Sequence, residues 1–184
     1  MRLFVAVTLS DDVRAALTDA QNRLRETCQG VRWIPARQLH VTLRFLGEVP
    51  DPDVTGVAEA VARAASQAKP FTMDLSGCGC FPPRGPVRIV WVGLREEGGA
   101  LLRCAEAVER ELESAGFPRE RRPFSAHITI GRVREDRSHG QTRMAVEACA
   151  FGPVPQAVES ITLMSSVLSP KGPTYTAVST TNLG

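Results

Sequence analysis

Short runs of alternating apolar and polar residues make up much of this chain, with longer stretches of helical periodicity between them. Residues 2–8 are apolar at nearly every position, as in a strand buried on both faces inside a sheet. Ser10-Asp11-Asp12 then offers a helix cap with two acidic residues in the first turn. Val13, Ala16, Leu17, Ala20 and Leu24 recur at helical spacing over about residues 11–27. A short strand at residues 31–34 ends at Pro35, and a longer one from about 39 to 45 stops at Gly47. Further helices are predicted over about residues 53–68 and 99–115, the second with Gly116 at its C′ position. Strands are predicted at 71–75, 87–94, 126–132, 160–164 and 174–178, and the polar stretch 134–143 leads into a short helix. The last two strands join through Ser169-Pro170-Lys171-Gly172-Pro173. Neighbouring strands with connections too short for a crossover helix imply an α+β fold of mainly antiparallel sheet.

Two of the predicted strands carry the same device. His40-Val41-Thr42-Leu43 and His127-Ile128-Thr129-Ile130 each begin with a histidine and alternate strictly, so histidine and threonine share one face and the apolar pair the other. The chain has three histidines, so two of the three open such a strand. The motifs are 127 − 40 = 87 residues apart, near half of the 184-residue length, and each follows a helical segment and a proline (Pro35, Pro123). This spacing reads as an internal duplication: one domain over 1–184 made of two lobes, whose His strands face each other across a central cleft with the helices outside.

Composition narrows the partners. The 43% of hydrophobic residues suffices for a globular core, and a net charge of +2 is too small for bulk coating of nucleic acid. Only Lys69 and Lys171 are lysines, and arginine is the residue whose planar fork suits phosphate. No run approaches the roughly 20 apolar residues of a membrane span, and no signal peptide is legible. Five irregularly spaced cysteines at 28, 78, 80, 104 and 149 read as buried thiols in a reducing cytoplasm.

Two imidazoles in one cleft can divide proton transfer, the neutral one accepting from water and the charged one donating to a leaving oxygen. That suits in-line displacement at phosphorus. Thr42 and Thr129 are placed to hold the non-bridging oxygens. Strict alternation puts Arg132 on the isoleucine face unless Gly131 lets the strand bulge. It puts Arg44 on the His40 face, within reach of phosphate or at the rim. Phe4, Phe45, Phe124 and Tyr175 are candidates to stack on a base. No carboxylate or thiol stands at ligand spacing near either motif, so no metal is expected. His139 reads as a solvated loop residue.

The stretches His40-Val41-Thr42-Leu43-Arg44-Phe45-Leu46-Gly47 and Arg122-Pro123-Phe124-Ser125-Ala126-His127-Ile128-Thr129-Ile130-Gly131-Arg132 resemble the paired signatures of the two-histidine phosphoesterases. Within that superfamily the chain is similar to the bacterial and archaeal RNA 2′,3′-cyclic phosphodiesterases, once called 2′-5′ RNA ligases. The resemblance extends to residues 1–7, Trp33-Ile34-Pro35, 86–91 and 166–175. It implies a bilobal pseudo-symmetric fold, His40 as proton donor, His127 as proton acceptor, and phosphate held by Thr42, Thr129 and Arg132. It also implies hydrolysis of RNA 2′,3′-cyclic phosphate ends to 2′-phosphates without metal. No cofactor is expected, and the protein is expected to be a cytoplasmic monomer. Two positions depart from the pattern: Ala126, where proline is common, and Gly131, where alanine is. The alternatives are 2′-5′ ligation by the reverse reaction and a non-catalytic nucleotide-binding module. Neither Lys69 nor Lys171 sits in the Lys-x-Asp-Gly setting of an adenylating ligase.

Overall fold

The computed structural model describes residues 1–170 and 172–184; Lys171, expected in the turn between the last two strands, lies outside the described residues. The order is β1 (Arg2–Thr8), α1 (Asp11–Arg25), β2 (Val31–Trp33), a 3₁₀ turn (Ala36–Gln38) and β3 (His40–Glu48). A second 3₁₀ turn (Asp51–Asp53), α2 (Val54–Ser66), β4 (Phe71–Phe81), β5 (Ile89–Arg95) and α3 (Ala100–Ser114) follow. The chain ends with β6 (His127–Val133), α4 (Gln141–Glu147), β7 (Val154–Val158), β8 (Ser160–Ser169) and β9 (Gly172–Asn182).

The strands form two antiparallel sheets, one ordered β3-β1-β8-β9 and the other β2-β6-β5-β4-β7. β1 is interior, as its unbroken apolar run requires; Leu3 to Val7 are all buried. Helices α2 and α3 pack on each other and on the first sheet, while α1 and α4 pack on the second. The ends of the helices follow the sequence closely. The Ser10 hydroxyl accepts from the Val13 amide at 3.3 Å. Gly116, at φ +92°, closes α3 with bonds from its own amide to the Glu113 carbonyl and from the Phe117 amide to Leu112. Among the described residues no helix is long and apolar enough to cross a membrane.

Three sequence expectations need correction. β4 runs on to Phe81 rather than ending at 75, because Gly77 takes a left-handed conformation (φ +73°) and the register resumes after an irregularity between Leu75 and Cys78. β7 is absent from the expected strands, since Pro153 and Pro155 suppress a strand signal; it is an edge strand, where proline is tolerated. The third correction concerns the His strands, neither of which alternates to its end. Beside β1, Val5 pairs with Arg44 and Ala6 with Thr42, which leaves Leu43 as an extra residue. Beside β5, Val90 pairs with Gly131 and Trp91 with Thr129, which leaves Ile130 extra. These two bulges each fall three residues after the histidine, so the two strands are bent at equivalent places; β3 has a second irregularity further on, at Leu46.

Candidate active site

The bulges decide which side chains meet the histidines. Before them, alternation holds: His40 and Thr42 on β3, and His127 and Thr129 on β6, all line one cavity of about 370 Å³ between the sheets. Their partners Val41, Leu43, Ile128 and Ile130 are buried on the other side. After the bulges the phase reverses. Arg132, which strict alternation would hide, lines the cavity with the histidines. On β3 the same reversal corrects the expectation for Arg44. It turns from the cavity into the protein, forms an ion pair with Glu109 on α3 at 2.9 Å, and donates from Nη2 to the Pro118 carbonyl. Phe45 takes the cavity position instead. Five residues past their histidines, the two strands therefore present Phe45 and Arg132 at equivalent places.

Gln21 pins the second bulge. Its Nε2 donates to the carbonyls of Ile34 and Ile130 at 2.8 Å each, and the Ile34 amide donates to the same Ile130 oxygen at 2.9 Å. The extra residue thus keeps a partner for its carbonyl. Sequence reasoning missed Gln21. The available signal was a glutamine standing beside the apolar stripe of α1, one residue after Ala20, because a polar side chain buried in a core must be hydrogen-bonded. Gly131 has a plain spatial cause: a Cβ there would come within 2.6 Å of Val31 Cγ1 and 3.2 Å of the Trp33 ring.

Both imidazoles are held in the same way. His40 Nδ1 lies 2.7 Å from the Gln38 carbonyl, and His127 Nδ1 lies 2.8 Å from that of Ser125, in each case two residues back. A carbonyl can only accept, so each Nδ1 carries the hydrogen, and Nε2 is the nitrogen that gains or loses a proton. Burial pushes the His40 imidazole below its ordinary value; the Gln38 carbonyl opposes this, and the charges of Arg132 and His127 add to it. Burial raises the Tyr175 phenol, while Arg132 and Arg2 pull it back.

The cavity walls differ in character. Phe4, Phe45 and Tyr175, all from the first sheet, line it, and Arg2 lies over the Phe45 ring at 4.8 Å. The second sheet contributes Arg32 and Arg132, which are register partners on β2 and β6. Phe124 is instead half-buried against the core, and His139 is an exposed turn residue with φ 52°. A bond from Gln38 Nε2 to the Pro173 carbonyl, at 2.6 Å, joins the 3₁₀ turn to β9 at the cavity rim. Among the described residues, no three His, Cys, Asp or Glu side chains are grouped to hold a metal ion. All five cysteines are free thiols; burial pushes Cys78 up to about 12, and Cys80 and Cys104 up to about 11.

Two sheets of one plan, each giving a bulged His-x-Thr strand to one cavity, are the mark of a duplicated α+β module. The chain belongs to the family described as LigT like phosphoesterase, whose model matches twice in tandem, over residues 7–91 and 92–175. An RNA 2′,3′-cyclic phosphodiesterase of Archaeoglobus fulgidus is 36% identical over 176 residues, which cover 95% of this chain and 96% of that protein. One of Thermus thermophilus is 37% identical over 184 residues, covering 97% and 88% respectively. Among solved structures, TT0787 of Thermus thermophilus superposes with a TM-score of 0.82 at 34% identity, covering 100% of this chain and 98% of that one. E. coli LigT complexed with 3′-AMP gives 0.80 at 26% identity, covering 99% and 97%.

Proposed function

We propose that this chain hydrolyses the 2′,3′-cyclic phosphate end of RNA to a 2′-phosphate by general acid–base catalysis with its two cleft histidines. The observation that carries the reading is that both imidazoles line one cavity with Nδ1 committed to a backbone carbonyl, so both present Nε2 as the titrating atom. A water oxygen attacks phosphorus and its proton passes to Nε2 of neutral His127. The bond from phosphorus to O3′ breaks on the opposite side, and O3′ takes the proton from Nε2 of charged His40. One water is consumed, and solvent exchange returns each histidine to its starting form. The hydroxyls of Thr42 and Thr129 and the guanidinium of Arg132 hold the non-bridging oxygens, where charge is concentrated.

In the empty cleft, burial inclines His40 toward neutrality, which is the opposite of a donor's need. The substrate supplies the remedy, because a phosphodiester anion offsets the Arg132 charge and stabilises the His40 imidazolium. The names of the relatives support RNA as the substrate. The reaction so written uses no metal or cofactor. We read the chain as one two-lobed domain acting as a monomer, and its reduced thiols support a cytoplasmic setting. The deciding experiment is product analysis on a short RNA ending in a 2′,3′-cyclic phosphate. A 2′-phosphate resistant to 3′-phosphatase is expected; no turnover, or a 3′-phosphate product, refutes the assignment.

A further inference from the structure

We infer that Phe81 is the positioning residue of His127: its ring fixes the plane of the imidazole, and so the aim of Nε2 at the attacking water. The inference rests on the function proposed above. One hydrogen bond, from Nδ1 to the Ser125 carbonyl, anchors a point of the His127 ring but leaves the ring free to swing about that bond. A general base must hold its nitrogen in line with the proton it takes, so a second contact is needed. The Phe81 ring supplies it, with centroids 5.2 Å apart and planes at 87°. That edge-to-face arrangement is one that aromatic rings favour.

The other side of the cleft is built the same way. The Tyr175 ring meets His40 at 5.3 Å and 90°. Each imidazole thus has a carbonyl two residues back and a perpendicular ring at nearly the same distance. The two rings come from dissimilar places, the middle of β9 and the last residue of β4. Each is itself backed, Tyr175 by Phe4 at 5.0 Å and Phe81 by Trp91 at 5.4 Å. Because β4 lies two strands from β6, Phe81 reaches His127 across β5, where Trp91 is the register partner of Thr129. A Cβ on Gly79 would overlap the Trp91 ring, so glycine there leaves the space that the indole fills. The two rings differ in one respect. Tyr175 lines the cavity and so meets bound substrate, whereas neither Phe81 nor Trp91 is among the described residues that line it. His40 also has Phe4 at 4.9 Å, while Phe81 is the one aromatic contact of His127 among the described residues. Phe81 therefore acts through His127 alone, and its loss should reach the chemical step without reaching substrate binding.

The test is single-turnover opening of a dinucleotide ending in 2′,3′-cyclic phosphate by wild type, Phe81→Leu, Phe81→Met and Phe81→Tyr. The first two variants remove the ring from a half-buried site while keeping apolar bulk there. Each should lower the saturated rate about tenfold to a hundredfold, the cost of a reacting group held about 1 Å out of place. The half-saturating concentration should not change. Phe81→Tyr keeps the ring and should restore the rate. Adding Phe81→Leu to His127→Ala should cost nothing further, because the group it positions is gone, whereas a general structural loss would appear in both backgrounds. A full rate in Phe81→Leu and Phe81→Met, a loss carried by the half-saturating concentration, or an equal further loss in His127→Ala would overturn the assignment while leaving the hydrolase standing. A wild type that opened no cyclic phosphate would overturn both.

Discussion

Each cleft histidine has one nitrogen committed to a carbonyl and one available, so its chemistry is set before substrate arrives. The direction of the His40 shift then makes a prediction about pH. Its ordinary value is lowered by burial first, then by Arg132 and His127, with the Gln38 carbonyl opposing; Tyr175 and Phe4 pack against the ring as neutral groups. In His127→Ala one titration remains for the donor, and residual kcat/KM should fall as pH rises through a value below about 6.5, the ordinary imidazole reference. In the wild-type complex the bound anion stabilises the His40 imidazolium, so the alkaline limb of the kcat profile should lie at higher pH than that of kcat/KM. Coincident profiles would show that substrate charge does not reach the imidazoles. The threonines make a simpler prediction. Thr42→Val and Thr129→Val keep the β-branched shape and delete the hydroxyl. One hydrogen bond to a charged group contributes roughly 1.5–3 kcal/mol, so single-turnover rates should fall about tenfold to a hundredfold with unchanged melting temperature. Full rates in both variants would remove the threonines from the phosphate site.

At the scale of elements, the bulges after the two His-x-Thr motifs carry the site, and a buried polar side chain lies at each. Arg44, the residue after the first, donates to the Phe45 carbonyl at 2.8 Å while paired with Glu109, and Gln21 holds the second through Ile130. Replacing either with methionine keeps much of the volume and removes the polar end. Gln21→Met gives up two hydrogen bonds at about 1 kcal/mol each. Arg44→Met leaves Glu109, only 14% exposed, without its cation and with the Glu120 amide alone, and a loss of about 3 kcal/mol is expected. Denaturant unfolding should rank Arg44→Met as the less stable, and at temperatures where both are folded each should also lose activity through its neighbour on the strand. The same bulges mark where the sequence stopped being legible. Period 2 located both His strands and the faces of His40, Thr42, His127 and Thr129, because burial of Val41, Leu43, Ile128 and Ile130 enforces it. An extra residue inside a strand leaves no mark on that pattern, so Arg44 and Phe45 exchanged the positions alternation gave them. The possibility at Gly131 was visible, yet its cause lies in Val31 and Trp33, nearly a hundred positions earlier in the chain. Edge strand β7 was lost for another reason: proline argues against a strand unless one knows that the strand is at an edge.

At the scale of the molecule, the two halves that duplicate in sequence do not separate in space. The sheet holding His40 takes β8 and β9 from the second half, and the sheet holding His127 takes β2 and β4 from the first. The distance across the cleft is therefore held by strands shared between the halves, as a reaction needing two groups on opposite sides of one phosphorus requires. Two predictions belong here. Because protein groups supply every proton and charge in the proposed reaction, turnover should survive exhaustive dialysis against a strong chelator. Activity that vanished and returned with a divalent ion would contradict the two-histidine mechanism. The second concerns how the two sheets share the work. If His40 and His127 act in one concerted transfer, removing either leaves the other with nothing to complement. A general acid or base contributes about 10²–10⁴ in rate, so His40→Ala and His127→Ala should each lose that much. The double variant should lose little more than the worse single one, since residues acting as a unit are strongly non-additive. The measurement is single-turnover opening of a cyclic-phosphate dinucleotide by wild type, both single variants and the double variant, with folding checked by circular dichroism. Losses that multiply would mean two independent contributions, and a near wild-type rate in either single variant would make that histidine structural.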